Sequence, residues 1–114
     1  MEIKNSHDWL KDNQFYSVAQ TKKQICLHHT SGGSAKSSCD WWNVKDDHIC
    51  TPYLIERDGT IHEVFNPNYW AYALGLNNGT STEKVTIHIE LCNWGWLQSK
   101  GGKFYTATQT PKEV

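Results

Sequence analysis

Two short stretches of the chain each set a histidine two residues before another polar group. His28 precedes Thr30 in Lys23-Gln24-Ile25-Cys26-Leu27-His28-His29-Thr30, and His88 precedes Glu90 in Val85-Thr86-Ile87-His88-Ile89-Glu90-Leu91. If both stretches are strands, alternation puts Cys26, His28 and Thr30 on one face of the first. It likewise puts Thr86, His88 and Glu90 on one face of the second. Histidine and carboxylate converging from neighbouring strands suit metal-assisted hydrolysis. The histidine holds the metal, and a carboxylate outside the coordination sphere carries a proton from water to a leaving amine. A second reading fits the same residues: a buried histidine–glutamate hydrogen bond, with His28-His29 as structural histidines at a strand end. Spacing alone does not choose between the two.

The elements that would position these groups follow from punctuation and period. Residues 23–30 are a short apolar run closed by Ser31-Gly32-Gly33-Ser34, the pattern of a buried strand. Ser34 is placed to cap a helix over 35–45, in which Ala35, Cys39 and Trp42 keep helical spacing. Thr51-Pro52 opens a strand over 53–57, Asp58-Gly59 makes a tight turn, and 60–65 returns as the second arm of a hairpin. Asn66-Pro67 predicts one or two helical turns over 68–73. Residues 74–82 read as a loop. Residues 85–91 alternate as a strand, with Val85, Ile87, Ile89 and Leu91 on one face. A turn at 100–103 precedes a short strand over 104–108. Residues 1–22, anchored by Trp9-Leu10 and Phe15-Tyr16, read as an irregular N-terminal arm on a domain spanning 23–114. The sum is α/β, a mixed central β-sheet with flanking helices. Three or four strands and one substantial helix cover only one sheet face. The chain is therefore expected either to lack a C-terminal half or to complete itself by self-association.

Bulk properties narrow the function classes. At 114 residues the chain allows one domain. Eleven basic against twelve acidic residues leave a net charge of −1 with no basic run, which argues against a nucleic-acid partner. No apolar run approaches the roughly 20 residues that span a bilayer, and the N-terminus lacks the apolar stretch of a secretory signal. Cytoplasmic synthesis without a signal peptide is the expectation. None of Cys26, Cys39, Cys50 and Cys92 forms a Cys-x-x-Cys pair, so a structural zinc site built from cysteines is not expected. Four cysteines allow three pairings, Cys39 and Cys50 flank a polar segment, and free thiols are favoured without export. Six tryptophans in a chain of mean hydropathy −0.66 suit a small core, and also a groove that stacks on sugars or peptides.

Four segments in order resemble the type 2, zinc-dependent N-acetylmuramoyl-L-alanine amidases, the family of phage lysozyme-type amidases and peptidoglycan recognition proteins. Residues 22–30, Lys-Lys-Gln-Ile-Cys-Leu-His-His-Thr, look like its first motif. Residues 51–61, Thr-Pro-Tyr-Leu-Ile-Glu-Arg-Asp-Gly-Thr-Ile, are similar to its central hairpin. Residues 65–75, Phe-Asn-Pro-Asn-Tyr-Trp-Ala-Tyr-Ala-Leu-Gly, resemble the segment that follows. Residues 87–95, Ile-His-Ile-Glu-Leu-Cys-Asn-Trp-Gly, look like its next core strand. The resemblance covers roughly 15–114 and is nearest to phage and prophage cell-wall enzymes such as endolysins. It implies His28 as the first zinc ligand, with His29 behind it or in the core, and Glu90 as the general acid/base. Trp70, Tyr72, Asn93 and Trp94 become candidate walls of a groove for sugar and stem peptide. The implied partner is peptidoglycan in the bacterial cell wall. The implied reaction is hydrolysis of the N-acetylmuramoyl-L-alanine amide, zinc polarising the carbonyl and supplying the nucleophile while Glu90 moves the proton.

The sequence departs from the family pattern at defined points. The family's other two zinc ligands, a histidine and then a cysteine or aspartate, come from a part beyond this chain, so the zinc site is expected to be incomplete here. His48, His62, His88 and Cys92 do not match the family's ligand positions. Ala73 stands where a histidine is frequent, Thr51 where some members carry a tyrosine, and His88 where a glycine is common. A non-catalytic peptidoglycan-binding module and an inactive fragment are the alternatives these departures raise.

Overall fold

The computed structural model describes residues 2–75 and 79–114. Five strands make one mixed sheet in the order β1-β4-β3-β5-β2: β1 (Ile3–Asn5), β2 (Gln24–His29), β3 (Tyr53–Ile55), β4 (Ile61–Glu63) and β5 (Thr86–Leu91). The hairpin at Asp58-Gly59 is present, with β3 and β4 antiparallel and the Gly59 N–H donating to the Glu56 carbonyl. Gly59 takes a φ of +90°, which the turn requires and a side chain would resist. β5 runs parallel to both β3 and β2. A second, two-stranded sheet pairs β6 (Leu97–Lys100) with β7 (Lys103–Thr106).

Helix α1 (Ala35–Lys45) begins at Ser34, whose Oγ accepts from the Ser37 N–H while Ser37 reaches back to the Ser34 N–H. This reciprocal cap satisfies amides that would otherwise be unpaired at the helix start. Asp46 closes the helix in the left-handed conformation. Ala35, Cys39 and Trp42 turn inward and join Leu10, Cys50, Leu54, Val64, Phe65, Ala71 and Cys92 in the core. Phe15 stacks on Phe65 with centroids 4.6 Å apart, so the N-terminal segment seals one end of that core.

Several expectations change. The first strand is an edge strand rather than a buried one, with Ile25 and Leu27 65% and 63% exposed. They share a face with Ile87, Ile89, Leu91, Tyr53 and Ile55, and among the described residues no helix covers that side. Residues 3–5, read as irregular, pair in parallel with β4 and extend the sheet. Residues 68–73 form a turn and isolated bridges rather than helix, because Trp70 pairs with Tyr16 and Tyr72 with Ile49. The expected loop over 74–82 contains the start of a short helix, α2 (Thr80–Lys84); its residues 76–78 lie outside the described residues. All four cysteines are free thiols. No described helix is long and apolar enough to cross a membrane.

Candidate active site

The parallel β2–β5 pairing determines what meets what. Its register sets Cys26 opposite His88 and His28 opposite Glu90. The polar faces of the two strands therefore coincide, and they turn toward α1 and the core while the apolar faces turn outward. Thr86 and His88 are buried, whereas Ile87 and Ile89 are only half-buried. The expected convergence of His28, Thr30, His88 and Glu90 is present.

His28 Nε2 lies 2.8 Å from His88 Nδ1. His88 Nε2 lies 2.9 Å from Glu83 Oε1, and Glu83 is 1% exposed. A carboxylate only accepts, so His88 donates from Nε2 and its Nδ1 carries a lone pair toward His28. Glu83 Oε2 accepts the backbone N–H groups of Ala73 and Leu74. Ala73 thus serves the site through its backbone, as a donor to Glu83. Lys22 Nζ donates to the carbonyls of Tyr69, Lys84 and Thr86 at 2.7, 3.0 and 3.4 Å, and burial lowers its pKa against the opposing pull of the Glu83 charge. Burial pushes the pKa of both His28 and His88 below the ordinary imidazole value, against the pull of Glu83. Both imidazoles are thereby held toward the neutral form that binds metals.

Cys26 Sγ, His28 and His88 place their donor atoms within 4.8 Å of one another. Imidazole nitrogen and thiolate sulfur are the ligands zinc prefers, so the donor set fits that ion. Glu90, two pairs along from Cys26–His88 on the same face, has its Oε2 buried without a hydrogen-bond partner. Desolvation raises its pKa to about 7. It lines a groove of about 370 Å³ together with Thr30, Ser38, Trp41 and Trp42.

The four expected wall residues separate into two places. Asn93 and Trp94 follow β5 directly. The Asn93 carbonyl accepts from Thr30 Oγ1 at 3.4 Å, and Trp94 lies 4.8 Å under the Arg57 guanidinium, which also donates to the Gly33 carbonyl. Trp94 and Arg57 thus hold the loop that starts α1. Trp70 is buried, stacked on Tyr16 at 4.3 Å with Lys84 over its ring, and half-buried Tyr72 meets both rings edge-on. His29 faces away from the cluster and meets Ser31 Oγ at 3.0 Å.

Sequence reasoning missed Glu83, and it set Cys26 and His88 aside as ligands. The face shared by Cys26 and His28 was a signal. The parallel register that adds His88 was not readable from local pattern. Glu83 sits in the polar run Thr82-Glu83-Lys84, where nothing marks it as buried.

A family model described as N-acetylmuramoyl-L-alanine amidase matches residues 18–112. Among solved structures, a mutant endolysin from Bacillus subtilis is similar at TM-score 0.64 and 19% identity, over 81% of this chain and 61% of its own. The structure of PlyL is similar at TM-score 0.65 and 15% identity, over 82% of this chain and 58% of its own. The catalytic domain of XlyA is similar at TM-score 0.64 and 20% identity, over 81% and 61%. These likenesses establish the shared fold. The chain spans about three-fifths of the length of these solved relatives. No curated protein sequence matches it.

Proposed function

The chain belongs to the N-acetylmuramoyl-L-alanine amidase family, and from that premise we propose that it carries the reaction centre of a peptidoglycan amidase acting on the bacterial cell wall. The bond cut is the amide joining N-acetylmuramic acid to the L-alanine of the stem peptide. The observation that carries this reading is Glu90: a carboxyl with a desolvated, unpartnered oxygen, on the strand position paired with His28, at the wall of an open groove. A carboxyl left unpartnered in the interior costs stability unless something uses it.

His28 is the residue assigned to zinc, in an arrangement rich in nitrogen and sulfur donors. Zinc, when bound, supplies Lewis-acid polarisation of the scissile carbonyl and an activated water. Glu90 accepts a proton from the attacking water and returns it to the departing alanine nitrogen. Its raised pKa lets one group serve in both directions near neutrality. Asn93 and Trp94 are assigned to the wall at the carboxyl end of β5. Tyr72 is assigned to the other wall, with Trp70 stacked behind it against Tyr16. Origin in a phage or prophage belongs to the same proposal.

The test is release of stem peptides from purified peptidoglycan, read as new alanine amino termini. Glu90→Gln is expected to slow release by about 10²–10⁴-fold, the range for removing a general acid/base. An unchanged rate removes Glu90 from the chemistry. No release by the parent chain with zinc supplied, combined with retention on insoluble peptidoglycan, replaces hydrolysis by binding alone.

A further inference from the structure

We propose that Cys26, His28 and His88 form a three-ligand zinc centre within β2 and β5 alone, with Glu83 as the carboxylate that orients His88. This rests on the reading of His28 as a metal ligand. It adds two ligands and an orienting group that neither motif nor spacing assigned.

The geometry is close to what the ion needs. In a tetrahedral site with bonds of about 2.0–2.1 Å, two nitrogens stand about 3.3 Å apart. His28 Nε2 and His88 Nδ1 stand 2.8 Å apart, so the rings part by about half an ångström to admit the ion. Cys26 Sγ lies within 4.8 Å of both nitrogens, and its one polar contact is a 4.0 Å approach to the Leu27 carbonyl. With a Zn–S bond of about 2.3 Å the sulfur of a tetrahedral site stands about 3.6 Å from each nitrogen, so Cys26 Sγ closes by at most about 1.2 Å.

Glu83 is set before any ion arrives. Its Oε2 is occupied by the Ala73 and Leu74 amides and its Oε1 by His88. A ligating histidine whose second nitrogen donates to a fixed carboxylate is the usual outer support of a metal site. The charges balance, because a divalent cation meets the Cys26 thiolate and the Glu83 carboxylate, while Lys22 is tied to three carbonyls. The protons balance as well. His28 carries its proton on Nε2 when bonded to His88 and on Nδ1 when ligating, with no net loss. Cys26 releases one proton per ion bound.

The test uses the 114-residue chain, stripped of metal and kept reduced, titrated with Co²⁺ as a spectroscopic stand-in for zinc. The expected result is one Co²⁺ per chain with a near-ultraviolet thiolate-to-cobalt band, displaced by stoichiometric Zn²⁺. Cys26→Ser abolishes that band, and His88→Gln weakens binding at least as much as Glu83→Gln, for which about 10–100-fold is expected. Alkylation in the unmutated chain gives a second readout that needs no variant: saturating Zn²⁺ slows modification of Cys26 by about ten-fold or more, since a ligated thiolate is protected. Absence of binding, a band that survives Cys26→Ser, full affinity in His88→Gln, or an alkylation rate indifferent to Zn²⁺ each overturns the proposal. Metal binding without peptidoglycan hydrolysis leaves the centre standing and removes the amidase reading. Hydrolysis with a metal whose spectrum ignores Cys26 does the reverse.

Discussion

Glu83→Ala should be among the most destabilising single changes in this chain. The carboxylate is 1% exposed and satisfies three donors: the Ala73 and Leu74 amides and His88 Nε2. Truncation strands all three in the interior, and each unpaired buried group costs about 1–3 kcal/mol. It also leaves Lys22 without the negative charge it faces. Water entering the vacated space recovers part of the loss, so the expected cost is about 3–5 kcal/mol, the range for removing one partner of a buried charged network. Near this chain length each kcal/mol moves the thermal midpoint by roughly 4–6 °C, so the midpoint should fall by at least about 12 °C. Glu83→Gln should cost only about 1–2 kcal/mol. Its carbonyl oxygen still accepts the two amides, and its NH₂ can donate to His88 once that ring moves its proton to Nδ1. The assay is urea unfolding followed by circular dichroism, with the slope checked for constancy between variants. A cost below about 1 kcal/mol for Glu83→Ala would refute the reasoning, because three simultaneous losses cannot come so cheaply.

The exposed and buried thiols should separate cleanly. Cys26 is half-exposed, whereas burial pushes Cys39 up to about 12 and Cys92 up to about 11, and raises Cys50 as well. At pH 8 those three remain neutral thiols, so iodoacetamide should add one label per folded chain and four after unfolding, counted by mass spectrometry. Rapid labelling of more than one thiol in the folded chain would contradict the burial. Gly95 has a φ of +73°, and a Cβ there would stand 2.8 Å from Ser31 Oγ and 3.3 Å from His29 Cε1. Gly95→Ala should cost about 1–2 kcal/mol from the left-handed backbone alone, with a further part that disappears in a Ser31→Gly background. A double-mutant cycle with no coupling would show that the loops do not meet there.

Local punctuation was the most legible part of the fold. Ser34 as cap, the helix over 35–45, the Asp58-Gly59 hairpin and the strand over 85–91 all follow from chemistry acting within a few residues, where sequence distance and spatial distance are the same. The N-terminal strand was not legible, because Ile3–Asn5 becomes a strand only by lying beside β4, nearly sixty residues away. The turn at 68–73 misled for the same reason. Asn66-Pro67 is a sound helix start, but Trp70 and Tyr72 gain more from bridging Tyr16 and Ile49, which stacks Trp70 on Tyr16 and sets Tyr72 edge-on to both, than from another helical turn. Tertiary pairing overrode a local preference worth a few tenths of a kcal/mol per residue.

The site was half legible, and the half that failed turns on which sheet face is covered. Alternation in 25–29 and 87–91 correctly sorts residues into faces. Hydrophobicity then suggests that Ile25, Leu27, Ile87 and Ile89 point inward, yet the structure buries Thr86, His88 and Glu83 and leaves Ile25 and Leu27 in the open. Burying a polar face is costly unless every group on it is paired. That condition is nearly met: His28 meets His88, His88 meets Glu83, Glu83 meets two amides, and Gln24 meets Thr86. Glu90 Oε2 is the exception on these two strands, left unpartnered beside the groove. The network closes everywhere except at the one carboxyl that borders open space, and that opening is what the proposed reaction would use. The parallel β2–β5 register makes that closure possible, since it alone sets Cys26 against His88 and His28 against Glu90. A slip of β2 by one residue would turn Cys26 and His28 to the bare face, away from His88 and Glu90.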